Sequence, residues 1–305
     1  MLRHIFILIC LIYAGSAYSQ KRFVLVDGVQ IRINTIGLED RKKGQPVVVF
    51  ESGHGTPMDN WDKVLQGISE LAPLVTYDRP GIGESPAIDE MPTIKNVADR
   101  LVKILAHLKL PPPFILVGHS LGGLYVRGFA NYHPELLAGL IIIDPADFTE
   151  TLKNRRDYYE VLGWENAKID SLIQVFIDIR KERADQAPAS IKRESEVLEE
   201  QRKKEFAEIK ALDLPNIPVH FIMGGRFDMP EKFRSKEYND EILFRSKIKH
   251  RLLRWTDVIQ SVDKGMLFYS ADAGHFVHYD DPELLISSVK IVLHDYNILK
   301  NGDED

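Results

Sequence analysis

The stretch of sequence that decides the fold is Gly118-His119-Ser120-Leu121-Gly122. It follows an apolar run at residues 114–117 and precedes residues 121–130, whose composition predicts a helix. Glycines two residues before and two residues after the serine leave room for a strained turn between a strand and a helix. Such a turn lifts the serine hydroxyl out of the sheet. Ser120 is therefore the first candidate for a catalytic nucleophile.

Apolar runs recur along the rest of the chain, and each of them predicts a β-strand. The runs are residues 23–26, 29–35, 47–50, 74–77, 114–117, 140–143, 219–223 and 266–269. The Asp27-Gly28 pair between the first two runs predicts a hairpin. The later runs are apolar throughout, which is typical of strands buried on both faces of a parallel sheet. Helical spacing of apolar residues separates them, for example at residues 97–108 and 284–293. The sequence thus predicts an α/β fold with a mostly parallel, doubly wound sheet that starts with an antiparallel hairpin.

Residues 148–215 interrupt this alternation, because they are dense in charge and hold no convincing strand. We interpret them as a helical cap inserted between two parts of a core domain, residues 20–147 and 216–305. The insertion follows a strand end, where the ligand crevice of such a sheet opens. The alternative is a set of surface helices with no role over a site. The charge run at residues 192–210 is interpreted as a solvated helix face.

The composition limits the kinds of partner that we expect. With 305 residues, 44% of them hydrophobic, the chain suits one large domain with an insertion. The formal net charge is -6 and no basic patch stands out, so nucleic acid is not an expected partner. The glycine-rich loops do not match a phosphate loop, and no cofactor is expected. His54, His275 and His278 lack a matching cluster of carboxylates or cysteines, so no metal site is expected.

Residues 1–19 have the layout of a secretory signal peptide: a short basic start, an apolar run at residues 5–13, and a small, polar end. We expect cleavage after Ser19 and export to the periplasm or the exterior. A membrane span takes about 20 apolar residues, so this run is too short for one, and we expect no span in the mature protein. Cys10, the only cysteine, lies in this segment. The mature chain would therefore hold no disulfide and no thiolate metal site.

A serine nucleophile needs a base, and the base needs an acid that orients it. Asp228 follows the seventh predicted strand, and His275 follows the eighth. Both lie where the carboxyl ends of parallel strands would converge on Ser120. Asp144, which directly follows the sixth predicted strand, is the alternative acid, and His278 is the alternative base.

Together these features resemble the α/β-hydrolase superfamily with a serine nucleophile, over residues 29–293. Residues 77–85 look like the family's D-x-R-G-x-G-x-S turn, and residues 143–146 look like its strand end before a cap. The resemblance implies the same α/β fold and a Ser-His-Asp triad. The family's chain order and strand-end position favour Asp228 over Asp144 as the acid. The motifs are specific to the superfamily and not to one substrate.

The resemblance also implies an oxyanion hole made of two backbone N–H groups. Leu121, directly after the serine, would supply one at the positive end of its helix. The other would come from Ser52-Gly53-His54-Gly55, in the loop after the third predicted strand. Many relatives have His-Gly there, and the next residue donates. If the serine of this stretch replaces that histidine, His54 donates, and Trp61 keeps the downstream spacing. Gly55 is the alternative donor.

The activity expected from the resemblance is hydrolysis of a small-molecule carboxylic ester through an acyl-enzyme intermediate. The triad would be Ser120, Asp228 and His275, with His54 and Leu121 as oxyanion donors. The serine argues against relatives that hydrolyse haloalkanes or epoxides, since those use an aspartate nucleophile at this position.

Three alternatives stay open. They are a thioesterase, an aminopeptidase resembling proline iminopeptidases, and a non-catalytic binding protein on the same scaffold. The aminopeptidase would need acidic groups in the cap to hold the substrate amine, and the candidates are Glu160, Glu165 and Asp170.

Overall fold

The computed structural model describes residues 19–302 of the chain. Residues 1–18 of the predicted signal peptide, Cys10 among them, lie outside the described residues. An eight-stranded sheet in the order β1-β2-β4-β3-β5-β6-β7-β8 forms the centre of the described part. The strands are β1 (Gln20–Val26), β2 (Val29–Ile36), β3 (Val47–Glu51), β4 (Leu74–Tyr77), β5 (Phe114–His119), β6 (Leu137–Ile143), β7 (Val219–Gly224) and β8 (Gly265–Ser270).

The sheet is antiparallel only at its start. β1 and β2 form a hairpin around Asp27-Gly28, and β2 pairs antiparallel with β4. From β4 to β8 every pairing is parallel. Every residue of β3, β5, β6 and β7 is buried, as expected for strands that are covered on both faces. The predicted α/β fold, a mostly parallel sheet with an antiparallel hairpin at its start, is confirmed.

Helices cover both faces of the sheet. They are α1 (Asp62–Ser69), α2 (Ile94–His107), α3 (Leu121–Tyr132), α4 (Asn166–Gln186), α5 (Ala189–Lys203), α6 (Asp240–Ile259), α7 (Val277–Asp280) and α8 (Pro282–Gly302). One apolar core contains residues of α2, α3 and α6, and the opposite core contains residues of α1 and α8. Successive residues of β3 alternate between the two cores, since side chains along a strand point to opposite faces. Within residues 19–302, no helix has both the length and the apolar character that crossing a bilayer requires.

Residues 148–215, the predicted cap, contain helices and no strand. Between β6 and β7, a stretch that the structure describes throughout, the chain forms a 3-10 helix at Asp157–Leu162, then α4 and α5, and no strand. α4 buries only Ile169. α5 buries Glu194, Val197 and Gln201, which share one face of the helix. The segment is therefore anchored through one face of α5 and also through the 3-10 helix, which packs against α6.

Candidate active site

Ser120 lies at the sharp turn between β5 and α3. Its φ of 54° is strained for a residue with a side chain. Its backbone N–H donates to the carbonyl oxygen of Ile143 at 2.9 Å, which ties the turn to the end of β6. A side chain at Gly118 would collide with the carbonyl of Gly122, and one at Gly122 with the carbonyl of Glu51. The strained strand–turn–helix geometry thus explains both glycines of the pentapeptide.

His275 lies in the loop between β8 and α7, and it is linked both to an acid and to the serine turn. Its Nδ1 is 2.7 Å from Oδ2 of Asp144. Its carbonyl oxygen accepts a hydrogen bond from Nε2 of His119, the residue before Ser120, at 2.9 Å. About half of the imidazole side chain, 48%, is exposed. With Nδ1 engaged by the carboxylate, Nε2 is the nitrogen that remains for proton exchange at the site.

The acid beside His275 is Asp144 and not Asp228, which corrects the preference drawn from the sequence. β6 pairs with β5 so that its last residue lies opposite His119, and Asp144 follows directly. The backbone of Asp144 therefore lies next to the serine turn. Asp228 lies further along the loop after β7, where its exposed carboxylate pairs with Arg226 at 2.8 Å.

The carboxylate of Asp144 is buried between a histidine and an arginine. Its Oδ1 lies 3.1 Å from Nη1 of Arg251 on α6. Burial alone would raise the pKa of Asp144, but the charge of Arg251 and the hydrogen bond to His275 outweigh burial, and the pKa is lowered. Arg251 also donates to the carbonyl oxygen of Pro145 and lies over the ring of Trp255. Arg251 could not be identified from the sequence, because several basic residues share α6 and no motif marks this one.

The loop after β3 lies against the serine turn. A Cβ at Gly53 would be 3.4 Å from the Cβ of Ser120. Nε1 of Trp61 donates to Oγ of Ser52 at 2.9 Å, which holds the start of the loop. The serine at this position thus has a structural partner in the tryptophan.

The backbone N–H groups of this loop are not equivalent. The N–H of Gly55 donates to Oε2 of Glu194, on α5, at 2.8 Å. In contrast, neither His54 N–H nor Leu121 N–H donates a hydrogen bond to any atom of residues 19–302. The two groups that the sequence favoured as oxyanion donors are therefore available, and the alternative donor is occupied.

The interpretation of residues 192–210 as a solvated helix face is wrong at Glu194, which is only 2% exposed. A buried guanidinium, that of Arg79, compensates its charge at 2.7 Å. The sequence holds a weak signal for this burial. Glu194, Val197 and Gln201 recur at helical spacing, so the glutamate lies on the same face as a valine.

Two other histidines near the site, His119 and His278, are packed, and burial favours their neutral form. His278 is fully buried, its Nε2 lies 2.6 Å from Oδ1 of Asn60, and its ring packs on Trp61. Burial lowers the pKa of His278 to about 3. Burial also lowers the pKa of His119 well below its usual range. His278, the alternative base, thus pairs with an amide, whereas His275 pairs with a carboxylate.

The side chain of His54 turns towards the cap. Its Nε2 lies 2.8 Å from Oγ of Ser195 and 3.1 Å from the carbonyl oxygen of Ile191, both on α5. Within the described part of the chain, no three His, Cys, Asp or Glu side chains are grouped so that they could hold a metal ion.

A cleft of about 660 Å³ opens beside His275. Its apolar lining consists of Phe227, Met229, Phe244, Phe276 and Tyr279. The polar rim is compensated within the protein, since Arg226 pairs with Asp228 at 2.8 Å and with Asp280 at 2.9 Å. This surface suits a neutral, apolar group.

The three cap acids considered for amine binding lie away from this cleft. Asp170 pairs with Arg156 at 2.7 Å on the surface. Glu160 lines a separate cleft, together with Arg245 and other residues of α6. Glu165 is exposed and precedes α4. The cleft beside His275 includes none of the three.

Part of the chain is similar to known sequences. A family model described as the alpha/beta hydrolase fold matches residues 46–182. The uncharacterized protein YqjL of Bacillus subtilis (strain 168) is 29% identical over 132 residues, which are 43% of this chain and 50% of that protein. The chain spans half or less of the length of the curated relatives that it matches first.

Comparison with solved structures covers nearly the whole chain. The epoxide hydrolase CorEH superposes with a TM-score of 0.58 at 17% identity, over 91% of this chain and 99% of that one. A membrane phospholipase A, described as a bacterial virulence factor, superposes with a TM-score of 0.57 at 19% identity, over 92% and 87%. At such identities the likeness shows the fold, and it agrees with the family model. The chain has the α/β-hydrolase fold.

Proposed function

We propose that the protein is a serine hydrolase that cleaves a carboxylic ester, with Ser120 as nucleophile, His275 as base and Asp144 as acid. The observation that carries this proposal is the 2.7 Å contact between His275 Nδ1 and Asp144 Oδ2 beside the strained turn of Ser120. A carboxylate on Nδ1 fixes the imidazole tautomer whose Nε2 can accept a proton from a serine hydroxyl. Asp144 takes the role for which the sequence favoured Asp228.

In the first half of the reaction, Ser120 Oγ attacks the acyl carbon while its proton passes to His275 Nε2. The carbonyl oxygen gains negative charge, which the backbone N–H groups of His54 and Leu121 stabilise. Asp144 stays ionised and stabilises the imidazolium. The imidazolium then gives its proton to the leaving alcohol oxygen as the C–O bond breaks, and the acyl group stays on the serine.

In the second half, water attacks the acyl carbon while His275 Nε2 accepts one of its protons. The same two N–H groups stabilise the second tetrahedral intermediate. The bond from the acyl carbon to Ser120 Oγ breaks, and the imidazolium returns its proton to that oxygen. The carboxylic acid leaves, and the free enzyme is restored.

The cleft beside His275 supports a neutral substrate with an apolar or aromatic group. Its aromatic and methionine side chains offer apolar surface, and its charged residues already pair with one another. Burying an additional unpaired charge there would carry a large desolvation cost. The positions of the cap acids give an aminopeptidase less support, and a thioester would use the same chemistry as an ester.

Activity-based labelling tests the proposal directly. Purified protein is treated with a fluorophosphonate, and turnover is measured on p-nitrophenyl esters of increasing acyl length, on a thioester and on an aminoacyl anilide. We expect stoichiometric labelling of Ser120, loss of labelling in Ser120→Ala, and the highest kcat/KM on an ester. A folded wild-type protein that is neither labelled nor active on any of these substrates would overturn the proposal. Faster turnover of the anilide would favour the aminopeptidase.

We also propose that the chain is exported after cleavage behind Ser19. The three-part layout of residues 1–19 supports this. Expression with the full N-terminus in a bacterial host, followed by fractionation and N-terminal sequencing, should recover a periplasmic or secreted form that begins at Gln20. Recovery of the intact N-terminus from the cytosol alone would contradict it.

A further inference from the structure

Three charged side chains form a buried row that joins the sheet, the loop after β4 and the cap. Glu51 ends β3, Arg79 follows β4, and Glu194 belongs to α5. Each of the three is at most 3% exposed. Arg79 lies between the two carboxylates, with Nη1 at 2.5 Å from Oε1 of Glu51 and Nε at 2.7 Å from Oε1 of Glu194. The row crosses from the core domain into the cap.

The row also holds the backbone of the oxyanion loop. Arg79 donates to the carbonyl oxygens of Ser52 at 2.6 Å and of Gly53 at 2.7 Å. The second oxygen of Glu194 accepts the N–H of Gly55 at 2.8 Å. The residues on either side of His54 are therefore fixed, while the N–H of His54 itself donates to no atom of residues 19–302.

Stability alone gives little reason for such a row. A buried ion pair seldom stabilises a fold more than well-packed apolar residues would, because both charges lose their hydration. A directional constraint is a better reason, since a carboxylate that accepts a backbone N–H fixes the peptide planes next to it. The second contact of the cap at this loop, from His54 Nε2 to Ser195 Oγ, supports the same constraint.

We propose that Glu194 of the cap is a positioning residue for the oxyanion hole. It engages the N–H of Gly55 and thereby turns the N–H of His54 towards the reacting carbonyl. The cap then contributes to the chemical step and not only to the shape of the binding cleft. This inference rests on the proposed serine hydrolase function.

The test compares Glu194→Ala and Glu194→Gln with Glu196→Ala, a matched control because Glu196 is exposed on the same helix. We measure kcat and KM on the best ester, and the inhibition constant of a trifluoromethyl ketone that forms a tetrahedral adduct with the serine. A misplaced catalytic group costs roughly 100-fold. We therefore expect Glu194→Ala to lower kcat by roughly 10–100-fold, with KM changed less than about threefold.

The inhibition constant of the ketone should rise in parallel with the loss of kcat, because the adduct uses the oxyanion hole as the transition state does. Glu194→Gln keeps an acceptor for Gly55 and should restore most of the activity. Glu196→Ala should behave as the wild type. Assays well below the melting temperature of each variant, with melting curves alongside, separate this effect from a loss of folded protein.

Wild-type kcat and ketone affinity in folded Glu194→Ala would overturn the positioning role. So would a loss in which KM changes and kcat does not, or a Glu194→Gln variant as impaired as Glu194→Ala. If Glu194→Ala does not fold, the glutamine variant and the ketone decide alone. These outcomes differ from a failure of the proposed function, in which the wild-type protein itself is neither labelled by a fluorophosphonate nor active.

Discussion

At the scale of single residues, Asp144 interacts with two partners, His275 and Arg251, that both favour its charged form. The hydrogen bond to His275 uses its charge to orient and stabilise an imidazole. The ion pair with Arg251, at the other carboxylate oxygen, stabilises the same negative charge. A carboxylate held this way stays ionised in a buried position, which a triad acid must do.

We predict that Asp144→Asn and Asp228→Asn separate the two aspartates by activity. Without the carboxylate at Nδ1, the imidazole can adopt the wrong tautomer, and in a serine triad this lowers kcat by about 10⁴. Asp144→Asn should therefore lower kcat on an ester by about 10³–10⁴. Asp228→Asn, at a rim ion pair with Arg226, should change kcat by less than about 10-fold, because rim charges are worth little. Steady-state kinetics with circular dichroism as the folding control measure both. A larger loss in Asp228→Asn would return the acid to that position.

The choice between the two aspartates shows what a residue-level motif can decide. Both follow strands and both lie between Ser120 and His275 in the chain, so the chain order from which we expected Asp228 does not in fact separate them. The separation depends on how far each lies from the strand end. Asp144 directly follows β6, the neighbour of β5 in the sheet, whereas Asp228 lies further out on its loop. Sheet order and register, which the sequence does not state, made the difference.

At the scale of elements, α6 braces the end of β6. Its Arg251 reaches Asp144 and the carbonyl oxygen of Pro145, and its Arg254 reaches Asp147. The helix thereby holds the start of the predicted cap and the proposed triad acid together. Because Arg251 pairs with Asp144, loss of this arginine should change the catalytic activity.

We predict that Arg251→Met shifts the acidic limb of the pH profile of kcat/KM to higher pH. Arg251 lowers the pKa of Asp144, so its removal raises that pKa, and the acid loses its charge at a higher pH than in the wild type. We expect the acidic limb to move to higher pH, with a lower maximum.

Arg254→Met is the matched control for this shift, because Arg254 pairs with Asp147 and not with Asp144. Its profile should keep the acidic limb of the wild type, even where stability falls. Equal shifts in both variants, or none in Arg251→Met, would contradict the assigned influence of Arg251 on the acid.

Elements differ in how well the sequence predicts them. The inner strands could be predicted because both faces are buried, so their apolar runs are unbroken. The buried face of α5 could not be predicted, because it carries a glutamate and a glutamine beside one valine. That polarity is tolerated only because Arg79, distant in sequence, lies opposite Glu194. Pairing of charges across 115 residues leaves no periodic signal.

At the scale of the whole molecule, buried neutral histidines make the fold sensitive to acid. His220 on β7 is fully buried, with Nδ1 at 2.8 Å from Oγ of Ser288 on α8. Burial lowers the pKa of His220 to about 4 and that of His278 to about 3. Neither residue belongs to the proposed triad, so their protonation bears on folding through the core and not through the chemistry.

We predict that the free energy of unfolding falls as the pH drops below about 6.5, and falls less in His220→Gln. An unfolded chain restores the imidazole to its ordinary pKa near 6.5, so below that pH it binds a proton that the folded protein does not. The stabilisation is complete above pH 6.5 and is lost as the pH falls towards 4, with a slope of at most about 1.4 kcal/mol per pH unit for one histidine.

Glutamine does not titrate and can still bond Ser288, so the variant should lose that part of the slope. Urea unfolding at several pH values between 7 and 4.5 measures it, with exposed His107→Gln as control. An unchanged slope in His220→Gln would show that His220 takes up its proton in the folded state as readily as in the unfolded chain.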